Sequence, residues 1–348
     1  MNGSGPLKAV LCGCGGMSAA WLKAAAQTEG VRIAGLVDIR EESARRRADE
    51  FSLEAPIIGT DLSTVLDAVK PDVVFDCTVP EAHTTVTLTA LGRGCHVLGE
   101  KPLADSMENA RRAVAAARKS GKLYAVIQNR RYDRRIRRIA RFLASGALGP
   151  ITTVNSDFYI GAHFGGFRDR MEHVLLLDMA IHTFDQARLL TEANPLSVYC
   201  KEWNPVGSWY DHDAAAVAVF EMTGGIVYTY RGSWCSEGLN TSWEAEWRIV
   251  GRRGTLYWDG GDQIRAEVVK GAGGFRSEVE AVEVPPEDPS DPFGGHVGLM
   301  REFVDCVNEG RIPETVCWDN IQSLGMVFGA IESARQKREV SITRLISG

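Results

Sequence analysis

The chain has no apolar run long enough to cross a bilayer, no Cys-x-x-Cys pair, no internal repeat and no excess of positive charge. Each absence excludes a class of function. A membrane-spanning helix needs roughly 20 consecutive apolar residues, so none is expected. The start, Met1 to Pro6, has no basic region leading into an apolar one; it reads as a short disordered lead-in and not as a signal peptide. With 39 Lys+Arg against 45 Asp+Glu the formal net charge is −6, which gives no general attraction to nucleic acid or to an anionic membrane. The eight cysteines are scattered, most inside apolar runs (Cys12, Cys77, Cys95, Cys200, Cys306). They read as small buried thiols of a protein in the reducing cytoplasm. His163, His173 and His182 fit no closed zinc spacing even with Asp178, so no metal is expected.

What the chain does have is length and order. Its 348 residues, 45% hydrophobic, bury enough surface for two domains. Up to about residue 125, short β-rich runs alternate with helical stretches, the pattern of a doubly wound parallel sheet. Beyond about residue 150 strands follow one another with few helices, which predicts an α+β domain with a large, mostly antiparallel sheet. The expected division is 1–125, a dinucleotide-binding Rossmann domain, and 126–348, a substrate-binding and oligomerisation domain. The Gly/Pro-rich part near Gly271 to Gly295 reads as a long mobile loop, and a last short strand is expected near Val340–Thr343. Asn129 to Arg141 packs seven arginines into one stretch; in an acidic chain this reads as a solvated amphipathic helix in which Asp133 pairs with Arg137.

Val10 to Ala20 reads as a strand, a glycine turn and a helix start. Gly13 permits the tight turn. Gly15 and Gly16 let backbone approach a pyrophosphate, and Met17 leads into a helix whose unpaired N–H groups and dipole attract it. Ser18 stands where the fingerprint has its third glycine. The next strand ends in Asp38, roughly 20 residues on, placed to bind the hydroxyls of an adenosine ribose, with Ile39 and Arg40 after it. Asp38 predicts NAD; Arg40 keeps NADP as the alternative.

Two further signals carry chemistry. Lys101, in Gly99-Glu100-Lys101-Pro102, follows a strand and so lies at the sheet's carboxyl edge, where an ammonium can stabilise developing negative charge. From Leu175 to Leu190 the sequence is apolar over most of a helix, yet Asp178, His182 and Asp185 fall at spacings of four and three. Buried polar groups must be paired or line a cavity, and three in a stripe favour the cavity.

The glycine turn, Cys77-Thr78-Val79-Pro80-Glu81-Ala82-His83, Glu100-Lys101-Pro102 and Asp178-x-x-x-His182, in that order, resemble the glucose–fructose oxidoreductase / inositol dehydrogenase (Gfo/Idh/MocA) family over essentially the whole chain. The resemblance implies Lys101, Asp178 and His182 as the catalytic group, and Thr78, Pro80, His83 and Glu100 at the nicotinamide half of the cofactor. It also implies an open-faced second sheet that makes homodimers or homotetramers. Arg131, nearest the sheet edge, is counted with the cofactor residues, and Tyr159, His163 and Arg168 as substrate contacts. One departure is Arg170-Met171-Glu172-His173-Val174, where the family has a glycine-rich lead-in. The expected reaction is oxidation of a secondary alcohol of a sugar, polyol or glycoside, with His182 as general base, Lys101 stabilising the alkoxide and Asp178 orienting. The alternatives are an NAD-assisted glycosidase or lyase without net redox, and a non-enzymatic NAD-binding regulator. Of the eight tryptophans, six fall between residues 203 and 258 (Trp203, Trp209, Trp234, Trp243, Trp247, Trp258); most are expected in the core or a subunit interface.

Overall fold

The computed structural model describes residues 5–271 and 274–348, and the chain divides into two units, 1–132 with 292–321 and 133–291 with 322–348. Most of the expected lead-in, Met1 to Ser4, lies outside the described residues, as do Ala272 and Gly273 of the expected mobile loop.

In the first unit β1 (Leu7–Cys12), β2 (Val31–Val37), β3 (Ile57–Gly59), β4 (Val73–Asp76), β5 (His96–Gly99) and β6 (Tyr124–Val126) form one parallel sheet in the order β3-β2-β1-β4-β5-β6. Helices α1 (Ser18–Ala26), α2 (Glu41–Glu50), α3 (Leu62–Val69), α4 (Pro80–Gly92) and α5 (Met107–Ser120) alternate with them. Local chemistry sets the helix starts. The Asp61 carboxylate caps α3 by accepting from the Thr64 N–H at 2.8 Å, and Ser106 Oγ caps α5 by accepting from the Asn109 N–H at 3.2 Å. Pro80 opens α4, where its missing N–H costs nothing. Ala9, Val10, Leu11, Val73, Val74 and Phe75 are fully buried, as the unbroken apolar runs of a sheet covered on both faces require. The strand order reverses between β1 and β4, which fixes the ligand-binding edge at the carboxyl ends of the strands.

The second unit opens with α6 (Arg134–Ala144), capped by Asp133, whose carboxylate accepts from the Arg135 N–H at 2.8 Å. β7 (Ile151–Tyr159) follows, then α7 (Ile181–Thr191), preceded by a π-helical turn over Leu175–Ala180. A run of strands comes next: β8 (Pro195–Trp203), β9 (Ala215–Met222), β10 (Ile226–Ser233), β11 (Glu246–Gly251), β12 (Gly254–Trp258), β13 (Ile264–Gly271) and β14 (Glu278–Val282). With β15 (Val340–Ser341) they form a nine-stranded sheet, β14-β13-β12-β11-β7-β10-β9-β8-β15, antiparallel except where β10 runs beside β7. One face is covered: Phe184 of α7 meets the rings of Phe220, Tyr228 and Tyr230 at 4.9, 6.2 and 5.2 Å. The tryptophans divide accordingly. Trp234, Trp247 and Trp258 are buried in this core, whereas Trp203 and Trp243 are exposed.

Late segments serve both units. α8 (His296–Glu309) returns to the first, where Leu299, Met300, Phe303 and Val304 share a core with Trp21, Leu11 and Phe75. α9 (Cys317–Gln336) follows, and α10 (Ile342–Ser347) takes the place of the strand expected through Thr343.

Two expectations need correction. The arginine stretch is not a freely solvated face. Arg137 is buried, and Asp133 pairs with Arg135 at 2.7 Å. Arg134, Arg138 and Arg141 reach the segment after β14: Arg134 pairs with Glu287, Arg138 donates to the carbonyls of Val284 and Pro285, and Arg141 pairs with Asp291. That same segment was expected to be a mobile loop. β14 and this strap of arginine contacts order most of it, because a guanidinium satisfies backbone carbonyls that a turn leaves open.

His96 at the start of β5 generates a stability prediction. Its Nδ1 accepts from the Leu123 N–H at 3.1 Å and its Nε2 lies 3.5 Å from Lys122 Nζ, so the ring must be neutral. Burial, aided by Lys122, pushes its pKa down to about 4. A base with a depressed folded pKa contributes stability that is complete above its unfolded value near 6.5 and is lost as pH falls towards about 4. Urea unfolding of the wild type is expected to lose about 1–2 kcal/mol more than His96→Gln between pH 6.5 and 4; equal losses would contradict the assignment.

Candidate active site

At the carboxyl end of β1 the backbone leaves no room for a side chain. Gly13 has φ +92°, and a Cβ there would lie 2.5 Å from the Cys77 carbonyl oxygen. Cβ atoms built on Gly15 and Gly16 meet nothing within 4 Å, so the outer side of the turn is open. Asp38, just after β2, faces this turn: one carboxylate oxygen accepts from the Cys14 N–H and the other from the Arg40 N–H, both at 2.8 Å. Met17, Ile39 and Arg40 are exposed around it. An open glycine cradle at a helix start, with a fixed carboxylate beside it, fits the pyrophosphate and adenosine ribose of a dinucleotide.

The second part of the edge centres on Asp76, which no sequence motif marks. It is fully buried at the end of β4. One of its oxygens accepts from the Thr78 N–H at 3.0 Å and the Thr78 hydroxyl at 2.5 Å; the other lies 3.0 Å from His83 Nδ1. Thr78 and His83, both expected at the cofactor, are therefore oriented by one carboxylate. Burial opposes charge on His83, but Asp76 outweighs it and raises the histidine's pKa. Pro80 sits between them as the first residue of α4.

Lys101 follows β5, and its peptide bond to Pro102 is cis. Glu100 beside it is buried; it accepts from the Trp21 indole N–H at 2.8 Å and from the Lys101 backbone N–H at 3.1 Å. His296, at the start of α8, brings Nε2 to 4.0 Å from Glu100, and its Nδ1 lies 3.3 Å from Asn129 Nδ2. Burial lowers the pKa of His296 against the pull of Glu100, consistent with a neutral ring whose Nδ1 accepts. Arg131 is buried, 3.7 Å from Asp319. Asp76 was legible only as a second strand ending in aspartate, as β2 leads into Asp38; His296 left no local signal.

In the second unit the π-helical turn carries Asp178 and the first turn of α7 carries His182, which is buried. Arg168 pairs with Asp178 through Nε at 2.8 Å and Nη2 at 3.4 Å, while its guanidinium lies 4.9 Å from the Phe164 ring centre and 4.8 Å from that of Phe167. Asp185 separates from the stripe: it is buried and accepts from Ser323 Oγ at 2.8 Å, which in turn accepts from Arg188 at 3.0 Å, a structural network. The replaced lead-in is held by His173, whose Nδ1 lies 2.8 Å from a buried Glu202 oxygen. Its hydrogen bond with Glu202 raises the His173 pKa, and burial raises that of Glu202. His163 stacks on Trp209 at 3.7 Å and pairs with Glu237. Tyr159 shares the sheet face of Asp157 and Arg231, opposite the face that buries Phe158. Among the described residues no cluster of three or more His, Cys, Asp or Glu is arranged to hold a metal, and no helix is long and apolar enough to cross a membrane.

Residues 7–128 match the model of the Gfo/Idh/MocA oxidoreductase family, described as an NAD-binding Rossmann fold, and residues 136–257 match the model of its C-terminal domain. The chain is 31% identical to a 1,5-anhydro-D-fructose reductase of Ensifer adhaerens, over 93% of this chain and 95% of that protein. It is 26% identical to a D-apiose dehydrogenase of Paraburkholderia graminis, over 97% and 90% respectively. Among solved structures it resembles an oxidoreductase from Agrobacterium radiobacter in complex with NAD+, L-tartaric acid and magnesium, with a TM-score of 0.84 at 21% identity, covering 97% of this chain and 99% of that one. A Rossmann sheet with its glycine cradle, followed by a large, mostly antiparallel sheet and matched along both parts, makes this chain a member of the Gfo/Idh/MocA family of NAD-binding oxidoreductases.

Proposed function

We propose that this protein oxidises a secondary alcohol of a sugar, polyol or glycoside, with NAD as the working cofactor. The observation that carries this reading is the pairing of a polar dyad, Asp178 and His182, on an otherwise apolar helical segment with membership of a family whose named relatives act on sugars. Bound NAD+ supplies the hydride acceptor. His182, a buried imidazole, takes the hydroxyl proton. Lys101 stabilises the alkoxide as it forms. Asp178, paired with the Arg168 guanidinium, orients the imidazole or holds a neighbouring substrate hydroxyl. Phe164, Phe167 and Trp243, all partly exposed, offer faces on which a sugar ring stacks, and His163 on Trp209 offers a polar edge. Tyr159 is left out of the substrate set because of the face it occupies. Eight free cysteines, seven of them buried, support a reducing compartment, which we take to be the cytoplasm.

Self-association is assigned to the outer face of the nine-stranded sheet, where Tyr199, Val219 and Val227 are exposed. Asp38 supports NAD over NADP because a 2′-phosphate would meet its charge.

NADH formation over a panel of sugars, polyols and glycosides, with product analysis, tests the reaction. His182→Ala and Lys101→Met are each expected to lower kcat/KM for the responding substrate by about a hundredfold or more; undiminished turnover in both would refute the roles. Asp38→Ser is expected to cost about tenfold in kcat/KM for NAD+ and to raise it for NADP+, and an unchanged ratio would remove Asp38 from cofactor choice. Light scattering after gel filtration should give a dimer or tetramer for the wild type and a monomer for Tyr199→Glu/Val219→Glu; a monomeric wild type would discard that surface.

A further inference from the structure

Ser18 replaces the glycine that ordinarily allows close packing at the start of the first helix, and it is fully buried. A buried hydroxyl must be satisfied, and here it is satisfied twice. It donates to the Gly15 carbonyl at 2.6 Å and accepts from Arg47 Nε at 2.9 Å. Arg47, on α2, also donates from Nη2 to the same Gly15 carbonyl at 2.9 Å. Three groups thus close a ring, with one edge of the guanidinium spanning two acceptors. The Arg47 side chain is only 13% exposed, and its remaining nitrogen pairs with Glu50, so its direction is fixed. The rest of the turn has few restraints. Met17 provides no side-chain cap, and the Asp38 carboxylate holds only the Cys14 end.

We propose that Arg47 and Ser18 form a latch that holds Gly15 and Gly16 in the shape that receives a pyrophosphate, making Arg47 a positioning residue for dinucleotide affinity. The inference rests on the NAD-binding assignment and extends it to two residues outside the fingerprint glycines. Two adjacent glycines have more backbone freedom than any other pair, and ordering them at the moment of binding costs affinity. The latch moves that ordering into the folded state. It also places a cation behind the turn, and the planar fork matters because it meets the two acceptors with two fixed N–H groups, whereas a lysine ammonium is a point charge on a more flexible stem. The serine and the arginine therefore belong together: without Arg47, the hydroxyl keeps a single partner.

The test is calorimetric titration of the full-length protein with NAD+, ADP-ribose and adenosine. The first two carry the pyrophosphate, and adenosine reaches only the Asp38 end. Arg47→Met is expected to raise the Kd of NAD+ and of ADP-ribose by the same factor, about tenfold, and that of adenosine by less than about twofold. Arg47→Lys should recover part of the loss. In a Ser18→Ala background, Arg47→Met should cost less than in the wild type, the coupling of two residues that act as one unit. The latch is overturned if Arg47→Met binds NAD+ within about twofold of the wild type, if adenosine weakens as much as NAD+, or if lysine restores full affinity. Should Arg47→Met fail to fold, Arg47→Lys and Ser18→Ala decide: wild-type affinity in both overturns the latch. A wild type that binds neither NAD+ nor ADP-ribose would bring down the cofactor assignment and the latch with it, an outcome distinct from a wild type and variants that all bind alike.

Discussion

The contact on which the first unit depends is the approach of Gly13 to the carbonyl of Cys77. With no room for a Cβ between the ends of β1 and β4, the two central strands finish at the same level. Their following loops then open onto one edge. Everything placed on that edge inherits this closeness, from the glycine cradle and Asp38 to Thr78. Replacing Gly13 by any other residue would separate the strand ends, because the obstruction is backbone and not a flexible side chain.

Carboxylates organise that edge in different ways. Asp38 is exposed enough to offer itself to a ligand while it holds the backbone of Cys14 and Arg40. Asp76 is sealed and spends its acceptors on Thr78 and His83. A buried charge of this kind is tolerated only with its partners in place, and removing one partner typically costs about 3–5 kcal/mol. Glu100 repeats the device next to Lys101, using an indole and a backbone amide as donors. The catalytic lysine proposed here therefore stands on a peptide whose position is set by its neighbour's side chain.

Much of this was legible in the sequence because it is local. The glycine turn, the strand ending at Asp38 and the alternation that predicts a parallel sheet depend on residues a few positions apart, and the structure has them at those places. The large second sheet was legible for the same reason, since two-residue alternation survives in any register. Long-range partners were invisible. Spacing alone could not separate Asp185 from Asp178 and His182, because Asp185 is claimed by Ser323 on a distant helix. Nor does an apolar pattern announce the π-helical turn that carries Asp178. The arginines of α6 read as a solvated face because the carbonyls and carboxylates they bind lie roughly 150 residues on, in a strap with no pattern of its own.

The late return of α8 has a consequence for biosynthesis. Leu299, Met300 and Phe303 have no exposed surface and share a core with Leu11 and Trp21 near the beginning of the chain. While a ribosome is still making residue 290, the nucleotide-binding sheet has its strands but lacks one wall of its apolar interior, and the side of α1 that α8 covers is wet. The first unit therefore cannot reach its final stability until the chain has been made past Val304, and until then the uncovered side of α1 is exposed to whatever it meets in the cell.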